Sequence, residues 1–82
     1  MFISSEEFNV ISQILFSDKT QEVYKTVPKA VIKEMDGHAM QEFIAYGLFQ
    51  KEYVTPKQYA QIKGMKKRTF KQILKTIEQG GR

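Results

Sequence analysis

The 82-residue chain contains no cysteine, and that absence removes disulfides, thiolate zinc sites and cysteine nucleophiles together. Its core must hold by packing alone, which fits a reducing cytosol. Nowhere do about 18 apolar residues run together, the length that a membrane span needs. The opening "MFISSEEF" has no basic region ahead of an apolar one, so neither a signal peptide nor a membrane span is expected. The expected location is cytoplasmic. Long Ser-, Gly- or Pro-rich stretches and internal repeats are missing too. A chain of this length buries only about 60% of the surface it exposes when unfolded, too little to share between two cores. Residues 1–82 are therefore read as one domain.

Histidine is nearly absent as well. His38 stands alone, without other ligands in a metal-binding pattern, and reads as a cap or surface residue. The acidic pairs Glu6 with Glu7 and Glu34 with Asp36 have no histidine or nucleophile pattern beside them and read as helix-dipole and surface charges. No catalytic constellation, cofactor or metal is expected, and the chain is read as non-enzymatic.

What is present is a foldable composition, 41% hydrophobic and 12% aromatic, and a charge that is unevenly spread. Residues 1–50 carry four Lys against seven acidic residues, net −3, whereas residues 51–82 carry nine Lys and Arg against Glu52 and Glu78, net +7. Such asymmetry suggests that one end meets a polyanion while the other does something else.

The pattern is helical throughout. Ser4, with Glu7 three residues on and Ile3 and Phe8 at the staple positions, predicts a helix start. Phe8, Ile11, Ile14 and Leu15 then follow helical spacing to about Phe16. Asp18 with Gln21 suggests another cap, for a short helix through Val23, Tyr24 and Val27 that ends before Pro28. Pro28 suits the first turn of a third segment, "PKAVIKEM", with a strand as the alternative and Asp36-Gly37 as its stop. Ala39, Met40, Phe43, Ile44 and Leu48 predict the most apolar helix. Thr55, Pro56 and Gln58 predict a capped helix to about Lys63, and Gly64 is expected to leave it with positive φ, followed by Met65 as a buried anchor. A last helix places Phe70, Ile73, Leu74 and Ile77 on one side and Lys67, Arg68, Lys71, Gln72 and Lys75 on the other. The fold class is thus all-α, a compact domain of about five helices.

The segment Tyr53 to Gly80 resembles the helix-turn-helix DNA-binding segment, in the version of phage excisionases and MerR-type regulators. The matching features are Tyr59 followed by the small Ala60, Ile62, Gly64 in the turn, Met65 after it, and then "RTF" and Ile73. The resemblance implies that Ala60 sits where two helices cross closely and that the second helix enters the major groove. Such modules commonly continue into a β-hairpin wing, which these 82 residues are not expected to contain. Lys57, Lys63, Lys66, Lys67, Arg68, Thr69, Lys71, Gln72 and Lys75 are the candidate DNA-binding residues. Arg or Lys can pair with guanine and Gln with adenine.

Charge supports the same reading. From Tyr53 through Ile77 there are seven basic residues and no acidic one, so the helix surface lacks the intermixed Glu that forms i,i+4 pairs on solvated helices. The alternative is an ordinary solvated face. Phe8, Phe43, Phe49 and Phe70 read as core; Tyr53 and Tyr59 read as rings closing the core with their hydroxyls in water, or as platforms for an unpaired base. Met1, Phe2, Ile3, Met35, Met40, Tyr46 and Phe49 either pack inside or form an interface with a second copy or another protein. A regulator or recombination factor on duplex DNA is the first expectation. The others are an accessory subunit carrying single strands for a replication enzyme of a mobile element, and an adaptor for an acidic protein surface.

Overall fold

The computed structural model describes residues 3–34 and 37–80. Among them run six helices and no strand: α1 Ser5–Leu15, α2 Asp18–Tyr24, α3 Lys29–Glu34, α4 Gly37–Gln50, α5 Pro56–Lys63 and α6 Lys67–Gly80. The number exceeds the expected five or so because 29–34 closes as a short helix of its own, which also disposes of the strand alternative there.

Local chemistry accounts for the helix starts. Ser4 Oγ accepts from the Glu7 N–H at 3.1 Å while Glu7 Oε1 accepts from the Ser4 N–H at 3.2 Å, so each satisfies a main-chain donor that the first turn leaves free. Thr55 and Gln58 repeat the arrangement for α5 at 3.1 and 2.9 Å, with Pro56 in the first helical position. The cap of α2 is Ser17, not Asp18: Ser17 Oγ accepts from the Lys19 N–H, and Asp18 is the first helical residue, where its charge meets the positive end of the helix. Pro28 lies one residue ahead of α3, its carbonyl accepting from Val31 and Ile32. Of the expected stop, Asp36 lies outside the described residues and Gly37 opens α4.

One hydrophobic core takes Ile11 and Leu15 from α1, Val23 from α2, Met40, Ile44, Ala45 and Leu48 from α4, Ile62 from α5 and Phe70, Ile73, Leu74 and Ile77 from α6. Both charge halves of the chain contribute to it. The radius of gyration is 11.6 Å, against about 12 Å for a compact chain of this length. Helix α4 is the hub, packing on α2, α3, α5 and α6. It approaches α2 at Gly47, where a side-chain methyl would collide with Val23 Cγ1.

The C-terminal ends of α4 and α5 are closed differently. At the end of α4 the Tyr53 N–H donates to the Leu48 carbonyl and the Glu52 N–H to that of Phe49, a Schellman closure with Glu52 in the left-handed position at φ 61°. At the end of α5, Gly64 has φ −88° and ψ 0°, so the expected positive φ is not adopted. The turn is instead a tight continuation in which Gly64 donates to Ala60 O and Met65 to Ile62 O. Met65 is buried, as its anchoring place in the turn requires.

Candidate nucleic-acid interface

Helix α6 has two faces of opposite character. Phe70 is fully buried and Ile73, Leu74 and Ile77 nearly so, which fixes the helix about its axis. Lys67, Arg68, Lys71, Gln72 and Lys75 are all exposed, with Thr69 half-buried at their edge. Spaced by three, four and five residues, they form a strip about 12 Å long from Lys67 to Lys75 at a rise of about 1.5 Å per residue. Lys66 stands immediately before the helix.

The start of α6 is unusual for a solvated helix. Its first turn holds no acidic residue, and Lys66, Lys67 and Arg68 put three consecutive cations where the backbone dipole is already positive. The helices α1 and α2 do the opposite, opening with Glu6, Glu7 and Asp18. The lysine at the cap position has no acceptor atom to offer the first amides. Among the described residues no side chain takes up the N–H groups of Lys67, Arg68 or Thr69.

The nine candidate residues divide into two groups. Lys57 Nζ lies 2.7 Å from Glu7 Oε2, and Lys63 Nζ sits over the Tyr59 ring at 5.2 Å. These two flank α5 on different sides: Lys57 borders an open groove of about 290 Å³ with Glu6, Glu7 and Val10, Lys63 one of about 380 Å³ with Glu42, Phe43 and Tyr46. The remaining cations, Lys66, Lys67, Arg68, Lys71 and Lys75, make no ion pair among the described residues. Lys25, just after α2, and Lys29 and Lys33 of α3 make none either.

Several charges elsewhere are mutually engaged. Lys51, then the Tyr53 hydroxyl, hold the Glu22 carboxyl below the ordinary carboxylate range, with Lys51 Nζ 2.8 Å from Glu22 Oε2. Lys57, the Ser4 N–H and the Gln61 amide together hold Glu7 at about 2. Burial, and then the neighbouring Glu78, push the Tyr24 phenol up. His38 faces Glu42 at 3.4 Å along the exposed side of α4.

Aromatic rings are placed on the core. Tyr59 stacks on Phe49 with centroids 4.8 Å apart, and Tyr53 packs inward with its hydroxyl on Glu22 and the Lys19 ammonium over its ring. Phe8, Phe43 and Phe49 are half-buried against the core. Of the apolar residues considered for an interface, Met40 is buried, Ile3 and Phe49 are half-buried and Tyr46 is exposed. Met1, Phe2 and Met35 lie outside the described residues. Val10 and Phe16 join Tyr46 as the exposed large apolar side chains among those described.

Sequence reasoning missed Gln41. It is fully buried in α4, and its Nε2 donates to the carbonyls of Ile62 at 2.7 Å and Met65 at 2.8 Å, with Lys63 O at 3.3 Å. The signal was present: Gln41, Ile44, Ala45 and Leu48 share one face at helical spacing, so an amide stands in an apolar stripe. The expected close crossing at Ala60 is also different in kind, because α5 packs chiefly on α4 and has little direct packing with α6. Ala60 is half-buried.

The chain matches no protein-family model, no curated protein and no solved structure. No helix among the described residues is long and apolar enough to cross a membrane.

Proposed function

We propose that the chain is a non-enzymatic DNA-binding protein that lays α6 against duplex DNA, in the manner its helix-turn-helix resemblance implies. The observation that carries this reading is the set of cations at Lys66, Lys67, Arg68, Lys71 and Lys75, exposed, unpaired within the described fold and gathered on α6 and the residue just before it. The mutual repulsion of these cations, and the position of Lys66, Lys67 and Arg68 at the positive end of a helix dipole, cost the free protein a few tenths of a kcal/mol each. Phosphates would relieve both. In this reading Lys66 to Arg68 meet the backbone, while Arg68, Gln72 and Lys71 are the side chains available for base edges.

Duplex is favoured over single strand because α6 itself presents no exposed ring among the described residues. Single-strand binders combine a basic track with exposed rings on which bases stack. Phe70, the one aromatic residue of α6, is fully buried, and Tyr59 and Tyr53 are occupied by Phe49 and by Glu22. The exposed rings Phe16 and Tyr46 belong to the end of α1 and to α4. A role as transcription regulator or recombination factor is what the same resemblance implies, and the cysteine-free composition fits a place in the cytoplasm.

The test is a titration of the purified protein against labelled duplex and single-stranded oligonucleotides of equal length, at two salt concentrations. Neutralising five phosphates predicts a log-log salt slope of about −4 to −5 on duplex. A preference for single strands would replace this reading with that of an accessory subunit for a replication enzyme. Failure to bind either at low salt would turn the basic face toward an acidic protein.

A further inference from the structure

The turn between α5 and α6 does not close itself. The end of α4 has a full Schellman closure made from its own backbone, whereas the end of α5 has no residue in the left-handed conformation and only the Gly64 to Ala60 and Met65 to Ile62 bonds, the second a long 3.3 Å. A helix end leaves carbonyls without intrahelical partners. From α4, more than twenty residues away in sequence, Gln41 reaches the Ile62 and Lys63 carbonyls at the end of α5 and the Met65 carbonyl in the turn.

The amide is oriented by what it touches. Reversing it would press Oε1 against carbonyl oxygens, so the carbonyls themselves dictate that Nε2 faces the turn. Its Oε1 is buried with no hydrogen-bond partner among the described residues. An apolar side chain in that stripe would avoid this unpaired oxygen. The amide has one evident return, which is its hold on the turn.

We infer that Gln41 is the positioning residue of the candidate interface: it fixes the Ile62 to Met65 backbone to α4 and so sets where the Lys66, Lys67 and Arg68 tip of α6 is presented. Since α5 and α6 have little direct packing, a tie from the hub helix is what holds the tip at one place and angle. The part of this inference that concerns DNA rests on the reading proposed above; the part that concerns the turn does not.

Gln21 supplies a control of the same chemistry. Its Nε2 donates to the Ile77 carbonyl at 2.7 Å, tying α2 to the far end of α6. Gln41→Met and Gln21→Met each remove one amide while keeping an unbranched side chain of similar size. Amide hydrogen exchange on the free full-length protein, read at Gly64, Met65 and Phe70, should quicken by about tenfold or more in Gln41→Met, relative to the core amides of the same variant. In Gln21→Met those amides should keep their rates relative to the core. Gln41→Glu adds a check that tolerates a loss of stability: its carboxyl can donate to a carbonyl only when protonated, so turn protection should recover as pH falls. Duplex affinity of Gln41→Met should drop about tenfold or more relative to Gln21→Met, because a tip free to move pays ordering entropy on binding. Equal local exchange in the two Met variants, or a pH-independent turn in Gln41→Glu, would overturn the inference. A wild-type chain that binds no duplex would overturn the DNA reading alone, and the exchange comparison would still decide the role of Gln41 in the turn.

Discussion

Lys57 Nζ lies 2.7 Å from Glu7 Oε2, which joins the first turn of α5 to the first turn of α1. Glu7 thereby serves two helices at once, as the second half of the Ser4 capping box and as counterion to a lysine at the positive end of α5. The Glu7 carboxyl is held at about 2, from an ordinary 4.5. A depressed folded-state value means that the ionised form stabilises the fold. That contribution is complete above about pH 4.5 and is lost as pH falls through about 2. Glu7→Gln keeps the shape and the acceptor while removing the charge, so urea melts should show it less stable than wild type at pH 7, with the difference shrinking steadily toward pH 2. A constant difference across that range would show that the charge contributes nothing.

The same ion pair separates the basic residues by role. Lys67→Ala should weaken duplex binding and reduce the salt slope by about 1, the share of one phosphate contact. Lys57→Ala should leave the slope unchanged, since its ammonium is already neutralised by Glu7. Fluorescence titrations at several salt concentrations check both. A slope lowered equally by the two changes would place Lys57 in the interface and undo the division.

Gly47 is set by its neighbour rather than by its backbone. A methyl there would run into Val23 Cγ1, and Val23 is itself buried. Gly47→Ala should therefore destabilise the protein by about 1–3 kcal/mol, the usual cost of overpacking. Combining it with Val23→Ala should cost less than the sum of the two single changes, because the shorter side chain makes the room. Additive losses in chemical denaturation would mean that the collision is relieved elsewhere.

Two neighbouring turns make opposite demands. Glu52, at φ 61°, occupies a place that glycine takes without steric cost, and Glu52→Gly is expected to stabilise by about 0.5–1 kcal/mol. Gly64, at φ −88°, needs no such freedom, and Gly64→Ala is expected to be neutral or to stabilise by about 0.4–1 kcal/mol through the unfolded state. Thermal melts of the two variants test the pair. A marked loss on Gly64→Ala would restore the left-handed turn that glycine at this position suggests.

Much of this was readable from local chemistry. The capping boxes at Ser4 and Thr55 join residues three apart, and the apolar stripe of Phe70, Ile73, Leu74 and Ile77 has the period of a helix, so α1, α5 and α6 follow from interactions within one turn. The cap of α2 was misplaced by one residue because Ser17 and Asp18 are both good caps and only the corner with α1 selects between them. In the structure Ser17 and Thr20 both donate to the Ile14 carbonyl.

By itself, the sequence determined an all-helical chain with its positive charge concentrated on the last two helices, since helix formation and charge are properties of near neighbours and composition. Only the tertiary structure decided which cations stay unpaired, because the partner of Lys57 lies fifty residues away in Glu7. It also decided that the α5 to α6 turn is held by Gln41 from α4 and not by a left-handed glycine. A side-chain amide can close a helix end from anywhere in the chain, and its address is fixed only when the helices have packed.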